Sequence, residues 1–180
     1  MLITLLLAVA SAASWPADLH VGSGAGVGAY GGEAGLGGFG VGRLLFRPQL
    51  GERTPLAVDL GVRAGLLAGD LREATQIAAG LRWEPGLPYL RASLIHAHET
   101  PWAILKEQPI QSVAGTAEGI RHRSGAELAL GLHPTLVPDE SDGRFGAFVE
   151  LAAVALPDDK GPRIYGQLDL GLSVGLGRPR

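Results

Sequence analysis

The sequence predicts an all-β fold, an eight-stranded antiparallel up-and-down β-barrel with one long loop at about 99–123 that holds a short helix. Three observations predict it. Apolar residues alternate with polar or small ones over most of the chain, the period that sends successive side chains to opposite faces of a strand. Clusters of Gly, Pro and Asp interrupt the alternation at short, regular spacing. The apolar runs are roughly ten residues long, close to the 9–11 that a tilted strand needs to cross hydrocarbon.

The chain opens on MLITLLLAVASAASW, an apolar run from Leu2 to Val9 followed by small residues. Ala8-Val9-Ala10 and Ala10-Ser11-Ala12 both fit the A-x-A cleavage pattern, so 1–13 reads as a signal peptide cut near 10–13. The run is too short to span a bilayer as a helix, which takes about 20 apolar residues. Residues 14–180 then form a single barrel domain. The chain has no cysteine, which excludes a disulfide framework and a thiolate metal site and suits an oxidising compartment.

The first two strands come from HVGSGAGVGAYGGEAGLGGFGVG, His20–Gly42, in which 11 of 23 residues are glycine. Leu19, Val21, Ser23, Ala25, Val27 and Ala29 make one face of the first strand, with Gly22, Gly24, Gly26 and Gly28 on the other. Phe39 and Val41 then alternate with Gly38, Gly40 and Gly42. Tyr30-Gly31-Gly32-Glu33 is the turn between the two strands, where glycine supplies positive φ. The glycines of both strands are expected to face a narrow interior.

Around Leu56–Leu66 the leucines and valines at even positions oppose Asp59, Gly61, Arg63 and Gly65. Ile77, Ala79, Leu81 and Trp83 oppose Gln76, Ala78, Gly80 and Arg82, although Leu67, Leu71 and Ala78 also allow a helical stripe. Leu90, Ala92 and Leu94 oppose Arg91 and Ser93. In the long loop, Thr100-Pro101 reads as an N-cap with proline at the first helical position, and the helix is expected to stop before Pro109. Ala126, Leu128, Leu130 and Leu132 oppose Glu127, Ala129 and Gly131; Phe145, Ala147, Val149, Leu151, Ala153 and Ala155 lie opposite Glu150. The last strand, RIYGQLDLGLSVGLG, separates its faces completely, with Ile164, Leu168, Leu170, Leu172, Val174 and Leu176 on one and Gln167 and Asp169 on the other.

Which face points outward decides the class. The non-apolar face is mostly glycine and alanine, with Asp59, Arg63, Arg82, Arg91, Glu127, Glu150 and Asp169 set among them. A water-facing surface carries a dense mix of charges, whereas a narrow interior needs small residues and charges that pair. Four acids against three arginines on that face suit a paired interior. The apolar face is therefore expected to meet lipid, as in membrane barrels. Eight strands leave an interior that side chains fill, which argues against a wide channel. With the mature N-terminus on the periplasmic side, the long fifth connection faces outward.

This pattern, from about Asp18 to Gly177, resembles the small eight-stranded outer-membrane barrels of Gram-negative bacteria typified by the OmpA transmembrane domain and OmpX. The resemblance implies an exported integral outer-membrane protein with outer-membrane lipid as its partner and a structural or surface-interaction role without catalysis. Trp83, Tyr89, Trp102, Phe46 and Phe145 sit near strand ends and make a sparse aromatic belt. The chain departs from the pattern at its end, Val174-Gly175-Leu176-Gly177-Arg178-Pro179-Arg180, where no aromatic residue closes the last strand.

Chemistry-bearing motifs are few. G-x-G-x-x-G occurs twice, at Gly26, Gly28 and Gly31 and at Gly35, Gly37 and Gly40, but neither copy opens a helix as a dinucleotide site requires. No nucleotide is therefore expected. A net charge of −3 and a pI of about 5.9 leave no basic footprint for nucleic acid. The densest polar cluster is Ser93, His96, His98 and Glu99, with Arg121, His122 and Arg123 beyond the loop. Two histidines two apart on a strand can share a metal, and Ser, His and Glu are hydrolase components. The bland alternative, histidines and arginines solvated at a membrane interface or pairing with anionic headgroups, is preferred. His20 and His133 read as isolated rim residues. No catalytic, cofactor-binding or metal-ligating residue is assigned, and no cofactor. Two other readings remain open: a soluble, exported, lipocalin-like barrel with an apolar ligand inside, and a barrel hydrolase acting on outer-membrane lipid.

Overall fold

The structure is a computed structural model that describes residues 17–30, 33–46, 55–67, 72–137, 145–157 and 163–176. The predicted signal peptide and the turn segments at 47–54, 68–71, 138–144 and 158–162 lie outside the described residues.

Eight long antiparallel strands form one closed barrel: β1 (Ala17–Tyr30), β2 (Glu33–Phe46), β3 (Leu56–Leu67), β4 (Arg72–Trp83), β5 (Pro88–Pro101), β6 (Arg121–Leu132), β8 (Phe145–Leu156) and β9 (Arg163–Leu176). Each pairs with its neighbour in sequence, β1 pairs with β9, and β6 pairs with β8, which completes the ring. A ninth, three-residue strand, β7 (Thr135–Val137), lies against the start of β8, with Thr135 opposite Gly146. The segment with the competing helical stripe is a strand. Arg72–Trp83 pairs along its whole length with β3 and β5, and two ladders outweigh a weak local preference for helix.

The long loop holds two short helices, α1 (Trp102–Glu107) and α2 (Pro109–Ala114). Pro109 does not end the helical region as expected. It starts the second helix, where a first-turn proline has no amide to leave unpaired. Pro101, one place later than predicted, is the N-cap of α1. Gly115 closes α2 in the left-handed region, at φ 76°.

The strand faces follow the predicted parity with one reversal. Leu94 is 75% and Leu128 68% exposed, and Val21, Ile77, Leu151 and Leu170 also face outward. Asp59, Arg63, Arg82, Arg91, Glu127, Glu150 and Asp169 are all buried. The lipocalin-like reading, with the apolar faces inside, fails here because the leucines of every well-patterned strand are outside.

The reversal is on β2. Gly22, Gly24 and Gly26 of β1 do face inward, but on β2 Phe39, Val41 and Arg43 are buried, as are Leu44, Leu45 and Phe46 at the strand's end, while Gly38 and Gly40 are exposed. The register explains it: Gly24 pairs with Phe39, Gly22 with Val41 and His20 with Arg43. Paired residues share a face, so Gly22 and Gly24 leave room for the inward side chains of Val41 and Phe39. A Cβ on Gly24 would collide with the Asp169 carboxylate and lie 2.8 Å from the Leu168 carbonyl oxygen.

Candidate functional site

The interior is built around Glu150 of β8. Its carboxylate accepts hydrogen bonds from Arg43 Nη2 at 2.7 Å, Arg91 Nη2 at 2.6 Å, Arg63 Nη2 at 3.3 Å and the Tyr89 hydroxyl at 3.0 Å. Asp169 of β9 takes two from Arg63, at 2.7 and 3.0 Å, and one from Gln167 at 2.8 Å. Glu127 of β6 pairs with both Arg63 and Arg91. Asp59 lies 3.6 Å from Arg91 Nε and 3.7 Å from Arg43 Nη1. Six strands thus send charge into one buried cluster inside the barrel. Guanidinium groups suit this arrangement because each presents several donors in a fixed plane.

Arg43 is the interior residue that the sequence reading missed. Its signal was available, since it shares parity with Phe39 and Val41, but taking glycine as the mark of the inward face put all three outside. Tyr89 is a second correction. It does not belong to an aromatic belt: it is inside, across its register partner Gly131, with the Arg82 guanidinium 3.5 Å over its ring. A Cβ on Gly131 would occupy the place of the Tyr89 ring.

On the loop side of this cluster the interior turns apolar, with Ala78, Ile95, Ala97, Val154, Leu156 and Tyr165 packed together. Beyond them Glu99 is surrounded by Arg163 at 3.0 Å, Arg123 at 3.2 Å and Arg72 at 3.8 Å.

The polar cluster noted in the sequence is divided between two faces. Ser93 and Glu99, at odd positions of β5, point inward, Ser93 to Arg91 at 2.8 Å and Glu99 to the arginines just named. His96 and His98, at even positions, point outward. A Ser93–His96–Glu99 hydrolase site is therefore not assembled, because the sheet separates its members. Instead the structure gathers His96, His98 and His122, one ring nitrogen of each lying within 4.8 Å of the others.

At the opposite mouth, His20 and His133 are neither isolated nor both exposed. Their rings lie 4.6 Å apart, and His20 is fully buried against Phe148 at 5.1 Å. His133 contacts Glu84 Oε1 through Nδ1 at 2.7 Å and Ser173 Oγ through Nε2 at 2.7 Å. These three residues line a cavity of about 380 Å³ together with Leu87, Thr135 and Phe145.

Compared with solved structures, the chain is similar to Neisserial surface protein A, with a TM-score of 0.60 and 12% identity over 90% of this chain and 97% of that one. It is also similar to Ail, the attachment invasion locus protein of Yersinia pestis, solved with the heparin analogue sucrose octasulfate. There the TM-score is 0.52 and the identity 12%, over 91% of this chain and 100% of that one. No protein-family model and no curated protein matches the chain. At these identities the likeness is one of fold, and the fold is that of the small eight-stranded outer-membrane barrels.

Proposed function

We propose that this chain is an exported, integral outer-membrane β-barrel, directed there by the leader at 1–13 and held by outer-membrane lipid, with a structural or surface-interaction role and no catalysis. One observation carries the reading: a continuous outward belt of leucine and valine surrounds an interior closed by ion pairs. In water that belt would be strongly unfavourable, since burying each such side chain is worth about 1.5–3 kcal/mol. A soluble monomer rarely exposes so large a contiguous apolar patch. The names of the two similar proteins, a surface protein and an attachment protein, favour a surface role.

Membrane fractionation tests it, combined with a gel on heated and unheated samples. The expected result is recovery in the outer-membrane fraction, with a band that shifts on boiling. Recovery in the soluble periplasmic fraction without detergent would show the reading to be wrong.

A second reading rests on Glu84–His133–Ser173, an acid, base and hydroxyl in the contact order that acyl transfer uses. Against it, Ser173 is buried on β9, flanked in the sheet by His20 of β1 and Gly146 of β8. A fluorophosphonate probe separates the two readings. Labelling of Ser173 favours a hydrolase, and no labelling leaves the chain of hydrogen bonds as a strut across the mouth.

A further inference from the structure

We propose that His96, His98 and His122 form a binding site for a divalent transition-metal ion, of the zinc class, on the outer face of the barrel beside the helical loop. The strands determine the juxtaposition. His96 and His98 lie two apart on β5 and so share a face, and His122 of β6 is the register partner of His98. Cβ atoms of such partners are about 4.5–5.5 Å apart. The ring centroids are separated by 5.4 Å for His96 and His122, 5.9 Å for His98 and His122, and 6.4 Å for His96 and His98. Three ligands thus come from two rigid, paired strands rather than from a loop, which keeps the cost of organising them low.

The nitrogen geometry fits one ion. His96 Nε2 lies 3.2 Å from His122 Nδ1. Two imidazole nitrogens bound to one tetrahedral zinc, each about 2.0–2.1 Å from it, stand about 3.3–3.4 Å apart. One ring nitrogen of His98 completes a set within 4.8 Å, so a small rotation of that ring brings the third ligand in.

The outer contacts orient the rings as metal-binding histidines require. His98 Nε2 lies 3.1 Å from the Val113 carbonyl oxygen of α2. An acceptor there fixes the proton on Nε2 and leaves the Nδ1 lone pair for a cation. His96 Nδ1 lies 3.3 Å from Ser124 Oγ, which holds the Nε2 edge toward His122. Gly115 lets the loop approach: a Cβ there would stand 3.1 Å from His98 Nδ1 and 3.4 Å from His122 Cε1. The left-handed cap of α2 therefore lies directly over two of the three rings.

The donor set selects the ion. Three neutral imidazoles suit zinc, nickel and copper(II), and hard cations such as magnesium and calcium prefer oxygen. His96 and His122 are exposed, so the ion is reachable from solvent, and three protein ligands leave a fourth position for water. The site is independent of the membrane reading, because it needs only the pairing of β5 with β6 and the seating of α2.

The test is calorimetric titration of the untagged chain, folded in detergent micelles, with zinc chloride, and with cobalt(II) chloride followed by visible absorption. Wild type is expected to bind one zinc ion per chain and to give the intense cobalt bands of a four-coordinate nitrogen site. His96→Ala and His122→Ala are each expected to weaken zinc binding by about a hundredfold, and Ser124→Ala by about tenfold. Both histidine variants alter exposed side chains outside the barrel interior, and an unchanged shift on boiling verifies their fold. The proposal is overturned if wild type shows no stoichiometric binding, or if either histidine variant binds zinc as wild type does.

Discussion

Arg43 Nη2 donates to Glu150 Oε1 at 2.7 Å, joining residues 107 positions apart on strands that are not neighbours in the sheet. The bond crosses the lumen, and with Arg63 and Arg91 also bound to Glu150 it makes this carboxylate the hub of the interior.

Replacing Glu150 by Ala leaves Arg43, Arg91 and Tyr89 without their shared acceptor in a buried setting. The expected loss of stability is about 3–5 kcal/mol, the range for breaking a buried pair by removing one partner. Urea unfolding in detergent, followed by tryptophan fluorescence, measures it. Glu150→Gln keeps the shape and some acceptor capacity and is expected to lose less.

The glycines of the first hairpin divide by face. Gly24→Val forces a side chain into Asp169 and the Leu168 carbonyl and is expected to lose about 1–3 kcal/mol by overpacking. Gly26→Ala meets only ordinary contacts, 3.4 Å from the Gly166 oxygen and 3.5 Å from Phe39, and is expected to fold normally. Gly38→Val, with nothing within 4 Å of its Cβ, is expected to change stability by no more than about 0.5 kcal/mol. Refolding yield across the three variants checks the order. Equal damage from Gly24→Val and Gly38→Val would contradict the assigned faces.

Leu128→Arg places a charge in the apolar belt. Insertion into lipid vesicles is expected to weaken by about 2–4 kcal/mol if this position lies near the bilayer midplane, and by less toward either edge. Vesicle flotation reads this out. Ser124→Arg, on the same face two steps beyond Ala126 and level with His96, is expected to insert normally.

Arg43, Arg63, Arg91 and their carboxylates are buried together inside the barrel, and eight strands leave an interior that side chains can fill. Wild type in a planar bilayer is therefore expected to show no steady current. A stable conductance would mean that the cluster opens.

Much of this was legible in the sequence because period two is unambiguous where large apolar residues recur. Leu168, Leu170 and Leu172 set the face of β9, and Asp169 then had to be inside. Where glycine carries the pattern the signal fails, because a missing side chain marks no face. Gly38 and Gly40 read as inward for that reason, which puts Arg43 outside with Phe39 and Val41. Residue type also misled at Tyr89, whose place near a strand end suited a belt while its parity with Arg91 put it inside. The contacts among His96, His98 and His122 depend on the β5–β6 register, which the long connection at 102–120 hides from the sequence. The same is true of His20 and His133, which are far apart in the chain and adjacent only in the closed ring.

The cluster around Glu150 has a consequence for biogenesis. Arg63 of β3 finds its carboxylates on β6, β8 and β9, and Glu150 finds its cations on β2, β3 and β5. None of these pairs exists within a hairpin. An open sheet, however far its hairpins have formed, still carries unmatched charge on the surface that must become the inside. Unmatched charge is costly to place in hydrocarbon, and these charges are matched only in the closed ring, in which β1 pairs with β9. On the outer-membrane reading proposed above, the side chains that pair across the finished barrel would tie passage into the bilayer to completion of the ring.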